Sequence, residues 1–202
     1  MKSSERPLVV VLSGPNGADK STIAPVLLRD ALTINEFVNA DTIAAGLSAF
    51  DPREASFAAG RLMLARLHEL AGRRASCAFE TTLASRHFAP WLRGLQQDGY
   101  RVELVFLWLP NPEEALARVK LRVASGGHGV PEATVRRRYS RGLVNFFGLY
   151  RPLADRWSIH DNSDLAAGVR PVATGSRELD ETILDATHWK AVLESRRATG
   201  AA

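Results

Sequence analysis

The run Pro7-Leu-Val-Val-Val-Leu-Ser13 leads straight into Gly14-Pro-Asn-Gly-Ala-Asp-Lys-Ser21, and that junction constrains the fold more than any other stretch of the chain. A continuous β-branched run reads as a strand buried on both faces, as in a parallel sheet, and Gly14 ends it. Beyond the glycines, Ile23, Ala24, Val26, Leu27, Leu28 and Ala31 recur at helical spacing from Lys20 to Ala31, with Pro25 tolerable only near the first turn. Strand, glycine-rich loop and helix in that order form the setting of a phosphate-binding loop, G-x4-G-K-[S/T]. Its backbone N–H groups wrap phosphates at a helix N-terminus, its lysine reaches the outer phosphates, and its last hydroxyl helps to hold Mg²⁺. Gly14, Lys20 and Ser21 are in register. The loop Gly14, Pro15, Asn16, Gly17, Ala18, Asp19, Lys20, Ser21 and Thr22 is therefore expected to hold a nucleotide, with Ser21 on the metal.

Asp19 occupies the second glycine position of that pattern. The glycine there usually takes a conformation that residues with a Cβ avoid, although Asp tolerates positive φ better than most, at a cost of around 1 kcal/mol. The charge costs more: a carboxylate about 4 Å from one phosphate charge is repelled by roughly 1 to 4 kcal/mol, which lowers affinity ten-fold to a thousand-fold. Three readings stay open: weak nucleotide binding, a degenerate member without catalysis, or a substitution that disarms a toxic enzyme.

Further along, strands are expected at Phe37-Val38, Ser76 to Glu80, Tyr100 to Leu109, Trp157 to His160 and Pro171 to Thr174. Helices are expected from Pro52 to Gly72, from Phe88 to Gln97, from Asn111 as cap to Ala124, from about Pro131 to Tyr150, and from Ala186 to Arg197. Strands alternating with helices predict a single α/β domain over 1–202, with a mostly parallel sheet flanked by helices and ligands at the carboxyl ends of the strands. Asn39-Ala40-Asp41 and Glu80-Thr81-Thr82 close the second and third strands, so both carboxylates should reach the edge that carries the phosphate loop. There Asp41 can take a proton from an acceptor hydroxyl, and Glu80 can act on substrate or on a Mg²⁺-bound water. Asp41 also reads as an N-cap for a helix starting at Thr42, and Glu80 as a strand end paired with an arginine.

The 202 residues are 46% apolar and 24% charged, a globular balance that excludes disordered, collagen-like and coiled-coil classes. The single cysteine, Cys77, permits no internal disulfide, and the first apolar run is too short for a signal peptide or a membrane span, so a soluble cytoplasmic protein without membrane contact is expected. With 26 Lys+Arg against 22 Asp+Glu the net charge is +4, but its placement says more. Arg118, Lys120, Arg122, Arg136, Arg137, Arg138 and Arg141 stand against Glu132 alone, on two helices joined by Gly126-Gly127-His128-Gly129. That segment, about 118–141, suits a lid closing over a triphosphate and neutralising charge in the transition state. Arg122 and Arg137 are the leading candidates there, ahead of Arg118 and Arg138. His128 reads as a hinge residue, since no second His or Cys stands at ligand spacing.

Taken together, Gly14-Pro-Asn-Gly-Ala-Asp-Lys-Ser-Thr22, Phe37-Val-Asn-Ala-Asp41, Ala59-Gly60-Arg61, Phe79-Glu-Thr-Thr-Leu83, Gly126-Gly-His128 with Val130-Pro131, Arg137-Arg138-Tyr139 and Asp161-Asn162-Ser163 resemble the zeta-toxin-like P-loop kinases, in order and over most of the chain. The resemblance implies a P-loop NTPase/kinase fold with a helical lid, using ATP and Mg²⁺ to phosphorylate the sugar 3′-hydroxyl of UDP-N-acetylglucosamine. By the same resemblance Lys20, Ser21 and Arg118 would bind nucleotide and Mg²⁺, and Asp41 would be the base. Glu80 and Asn39 would place the substrate with Thr82 and Arg86 as further contacts, and Arg122 and Arg137 would stabilise the transferring phosphate. Any neutralising antitoxin would be a separate protein. Two enzyme readings remain, this one and a kinase for another hydroxyl compound such as an antibiotic or nucleoside. A non-catalytic nucleotide-binding protein stands beside them because of Asp19. Nucleic-acid binding is not expected, because few aromatics accompany the arginines and no recognition motif is present.

Overall fold

The computed structural model describes residues 6–48, 55–127, 129–177 and 181–200. Its centre is a 7-stranded sheet in the order β2-β3-β1-β4-β5-β6-β7. The strands are β1 (Leu8–Ser13), β2 (Phe37–Val38), β3 (Cys77–Thr81), β4 (Arg101–Trp108), β5 (Arg156–Asp161), β6 (Arg170–Ser176) and β7 (Thr182–Ile183). β2, β3, β1, β4 and β5 pair in parallel, whereas β6 pairs antiparallel with both β5 and β7. The expected mostly parallel sheet is what forms, and β7, only two residues long, is the strand that the sequence pattern misses.

β1 is central because both of its faces are apolar. Val9 and Val11 point into one core, Val10 and Leu12 into the other, and all are fully buried. The first core also takes side chains from α3 (Ser56–Gly72), α4 (Phe88–Gln97) and α7 (Ala186–Gly200). The second is covered by α1 (Lys20–Ala24), the π-helical stretch Pro25–Ala31 that continues it, and α5 (Pro112–Ala124). α6 (Glu132–Asn145) contributes to both, through Val135 and Tyr139 on one side and Leu143 on the other, and runs into a second π-helical stretch, Phe146–Tyr150. Pro25 marks where the first long helix changes from α to π winding, in keeping with its missing N–H. Pro52 and His128 lie outside the described residues. Among the described residues no helix is long and apolar enough to cross a membrane.

The strand register sets one edge of the sheet apart. Ser13 pairs with Thr81 and Phe106, so β1 and β3 end level, β4 runs two residues further to Trp108, and the chain leaves all three at that edge. β2 ends one strand further out, at Val38 opposite Phe79.

Candidate active site

The loop after β1 is shaped by two close approaches. Gly14 has φ 144°, and a Cβ there would run into the Leu107 carbonyl; Gly17 has φ 81°, and a Cβ would lie 2.8 Å from the Ala115 oxygen. Only glycine fits either place, which lets the loop fold tightly over β4 and α5. Asp19 takes φ 50° and ψ 34°, the left-handed conformation expected of the glycine it replaces. α1 then starts at Lys20 with no side-chain cap on its first turn, the setting in which a helix start can receive a phosphate.

Glu80, at the end of β3, gathers several polar groups. The Ser21 hydroxyl donates to its Oε2 at 2.8 Å, the Asn39 amide donates to the same oxygen at 2.7 Å, and Lys20 Nζ lies 3.5 Å from Oε1. Lys20 also donates to the Pro15 carbonyl at 2.9 Å. Burial pushes the Lys20 pKa below its ordinary value, with Glu80 and Asp41 pulling the other way and Arg122 adding to the fall. Asn39 has a second task, since its Oδ1 accepts from the N–H groups of Asp41 and Thr42 and so caps α2 (Ala40–Leu47). This corrects the N-cap reading of Asp41: the cap is Asn39, and Asp41 sits in the first turn of α2 facing the cleft. A carboxylate there is favoured by the positive end of the helix.

These residues line a cleft of about 320 Å³ together with Asn16, Gly17, Asp19, Thr22, Thr82, Arg122 and Arg138. Arg122, in the last turn of α5, has its Nε and Nη2 buried without a hydrogen-bond partner, two donors that an anion in the cleft could take up. A Cβ on Gly127 would lie 2.7 Å from Arg122 Cγ, so the glycine leaves room for the arginine stem. Burial also lowers the pKa of Arg138, which Asp41 partly offsets and Arg137 reinforces. An apolar wall of Met63, Phe88 and Val130 completes the cleft; Val130 belongs to one of the stretches that carry the resemblance, whereas no local motif in the sequence singles out Met63 or Phe88. Phe88 is held there against Phe79, 4.7 Å between ring centres.

Three expected contacts fall elsewhere. Arg137 is exposed on α6 and does not line the cleft; its neighbour Arg138 does. The reason is helical phase. The buried face of α6 is Val135, Tyr139, Gly142 and Leu143, and at about 100° per residue position 137 points nearly opposite Tyr139 while 138 lies beside 142. That apolar stripe is the signal in the sequence that separates the two arginines. Arg86 is likewise exposed and off the cleft. Arg118 is buried and does not line the cleft; its donors are taken up by protein groups, Nε by Glu114 at 2.9 Å, Nη2 by the Ser163 carbonyl at 2.6 Å, and Nη1 by the cleft residue Asp19 at 3.4 Å. Beside Ser163, Asn162 donates to the Ala18 carbonyl at 3.0 Å, so the loop after β5 braces the phosphate loop from behind.

A parallel sheet with a glycine-rich loop after its central strand, and an acidic residue closing the adjacent strand, defines a P-loop nucleotide-binding fold of the kinase type. The chain belongs to the AAA domain family, which it matches over residues 9–141. It is 32% identical over 126 residues to an uncharacterized protein of Haemophilus influenzae, covering 62% of this chain and 88% of that one. Among solved structures it shares its fold with a chain of the PezAT chromosomal toxin-antitoxin system of Streptococcus pneumoniae, with a TM-score of 0.62, 15% identity, and 99% of this chain and 88% of that chain covered. It likewise resembles the AvrRxo1-ORF1:-ORF2 complex solved with ATP, with a TM-score of 0.72, 17% identity, and 94% and 64% covered.

Proposed function

We propose that the protein is a kinase that transfers the γ-phosphoryl group of ATP to a hydroxyl of a small molecule. The observation that carries this reading is the meeting, in one cleft, of a phosphate loop, a carboxylate opposite it and two partly buried arginines: Lys20 and Ser21, Asp41, and Arg122 with Arg138. Phosphoryl transfer needs positioning and charge stabilisation more than covalent chemistry, and this set supplies both. The loop N–H groups and Lys20 receive the phosphates, Lys20 exchanging the Pro15 carbonyl for a phosphate oxygen. Arg122 has two buried N–H donors free to meet developing charge, and Arg138 adds a second guanidinium beside Asp41. Asp41 accepts the proton of the attacking hydroxyl.

The fold implies Mg²⁺ with the nucleotide, and the residues fit a hard cation. Ser21 Oγ and the Glu80 carboxylate are oxygen donors 2.8 Å apart. Among the described residues no group of three or more His, Cys, Asp or Glu could cage a metal, which suits an ion held mainly by phosphates and water. Such an ion would neutralise phosphate charge next to Ser21 and Glu80.

For the acceptor, the sugar 3′-hydroxyl of UDP-N-acetylglucosamine is the reading that the motif resemblance supports. A polar floor with an apolar wall of Met63, Phe88 and Val130 accommodates a sugar ring. The two structural neighbours come from a toxin-antitoxin system and a two-component complex, which supports a separate antitoxin partner for this chain. The test is incubation with ATP, Mg²⁺ and UDP-N-acetylglucosamine, read by mass spectrometry of the sugar nucleotide, with Asp19→Gly and Asp41→Asn forms alongside. A phosphorylated product that Asp41→Asn reduces at least about 10²-fold is expected. Product only from other hydroxyl compounds moves the acceptor assignment, and none from any acceptor with either wild type or Asp19→Gly sinks the kinase reading.

A further inference from the structure

We propose that Arg118 is the counter-ion of Asp19, so that the carboxylate at the second glycine position of the phosphate loop is neutralised instead of repelling ATP and is not a lesion in the nucleotide site. The inference rests on the reading of the cleft as a nucleotide site and deepens it at the position where the loop departs from its pattern.

Two caps within the protein show what the backbone does to a polar side chain at a helix start. Asn39 has φ −132° and ψ 121°, an extended cap, and its side chain accepts from the N–H groups of Asp41 and Thr42. Asp19, at the same place before α1, has φ 50° and ψ 34° and makes no such bond. The left-handed geometry imposed by the loop therefore keeps the carboxylate off the N–H groups that a phosphate must reach. An extended aspartate cap would occupy them, and ATP would then have to displace a bound anion.

The carboxylate instead meets Arg118, Oδ2 to Nη1 at 3.4 Å. This is no loose surface pair on the arginine side, where only 6% of the side chain is exposed against 38% for Asp19. Glu114 and the Ser163 carbonyl fix the guanidinium through its Nε and Nη2. A Cβ on Gly17 would lie 3.0 Å from Arg118 Cβ, so the arginine stem packs directly against the loop. With glycine at position 19 the Nη1 group would face the loop without this carboxylate. The pair supplies opposite charge next to the aspartate at the distance where repulsion of a phosphate would otherwise be strongest, and a buried arginine is screened little by salt. Arg118 is shared with Glu114, 2.9 Å from its Nε, and its charge beside Asp19 should still cut the ten-fold to thousand-fold weakening expected from an isolated carboxylate to less than about threefold.

Calorimetric titration with MgATP tests this on five proteins: wild type, Asp19→Asn, Arg118→Ala, the double variant, and Arg118→Lys. Asparagine accepts the left-handed conformation and keeps the shape while removing the charge. The expected result is that Asp19→Asn changes the ATP dissociation constant less than about threefold. Arg118→Ala should weaken binding about tenfold or more beside Asp19 but less than about threefold in the Asp19→Asn background, a non-additivity that a purely structural loss would not produce. Arg118→Lys, which restores charge without the fork, should recover most of the affinity. A tightening of tenfold or more in Asp19→Asn overturns the proposal without recourse to Arg118→Ala, should that variant fold poorly. Equal losses for Arg118→Ala in both backgrounds overturn it as well. If none of the proteins binds ATP, both this inference and the nucleotide reading fail. If they bind with the expected coupling but transfer no phosphoryl group, only the kinase reading fails.

Discussion

Replacing Gly142 by alanine should destabilise the protein although the position is in the middle of a helix. In an exposed helix interior, Gly→Ala stabilises by roughly 0.5–1 kcal/mol, because glycine loses more backbone freedom on folding. At Gly142 in α6, however, an added Cβ would run into the backbone carbonyl of Thr82, closer than any real Cβ contact. Thr82 cannot swing aside as a side chain would, so α6 or the β3–α4 loop must move, at an overpacking cost of about 1–3 kcal/mol. At Gly94 in α4 nothing lies within 4 Å of the added Cβ, which makes Gly94→Ala the propensity control. The two variants should therefore differ by about 1–3 kcal/mol with Gly142→Ala the weaker, roughly 2–12 °C in Tm at 2–4 °C per kcal/mol. Arg138 lies one turn before Gly142, so backing α6 away should also misplace that guanidinium and lower turnover by up to about 10²-fold. Thermal unfolding of both variants, followed by turnover with saturating ATP, checks both parts. If Gly142→Ala is as stabilising as Gly94→Ala, the close packing of α6 on Thr82 is not what fixes α6.

The remaining predictions concern the cleft and one buried thiol. Glu80→Gln keeps the shape but removes the charge that Lys20, Ser21 and Asn39 share, and turnover should fall about 10²- to 10³-fold in a steady-state assay; unchanged turnover would remove Glu80 from the site. Arg138→Ala should cost about 10²-fold or more in kcat while Arg137→Ala costs less than about threefold; the reverse order would refute the helical phase that turns Arg138 and not Arg137 to the cleft. Burial pushes the Cys77 thiol from 9.0 up to about 11. As pH rises through that window the unfolded thiol ionises first, the folded state holds the extra proton, and stability is lost by at most about 2–3 kcal/mol. Urea unfolding of wild type and Cys77→Ala at pH 8 and pH 10.5 should show the steeper fall in wild type, and equal falls would exclude the thiol as the source.

Much of this site is legible in the sequence because phosphate binding is a local property. Gly14, Gly17, Lys20 and Ser21 act through the conformation of one loop, and Asn39, Asp41 and Glu80 follow from the rule that parallel strands deliver their carboxyl ends to one edge. Asn111 capping α5 through the Glu114 N–H is readable for the same reason. Asn39 as cap of α2 is not, since Asp41 fits the same local pattern and only the observed first turn separates them.

The sequence by itself determined the α/β alternation, the phosphate loop, the two basic helices and the conflict posed by Asp19, since each depends on residues close together in the chain. Tertiary structure alone decided which arginine does what. Arg118, Arg122 and Arg138 carry the same charge and differ only in what surrounds them: Glu114, Asp19 and the Ser163 carbonyl for the first, the cleft itself for the second, Asp41 for the third. A charge takes its role from its neighbours in space. The arginine that pairs with Asp19 comes from α5, 99 residues away in the chain.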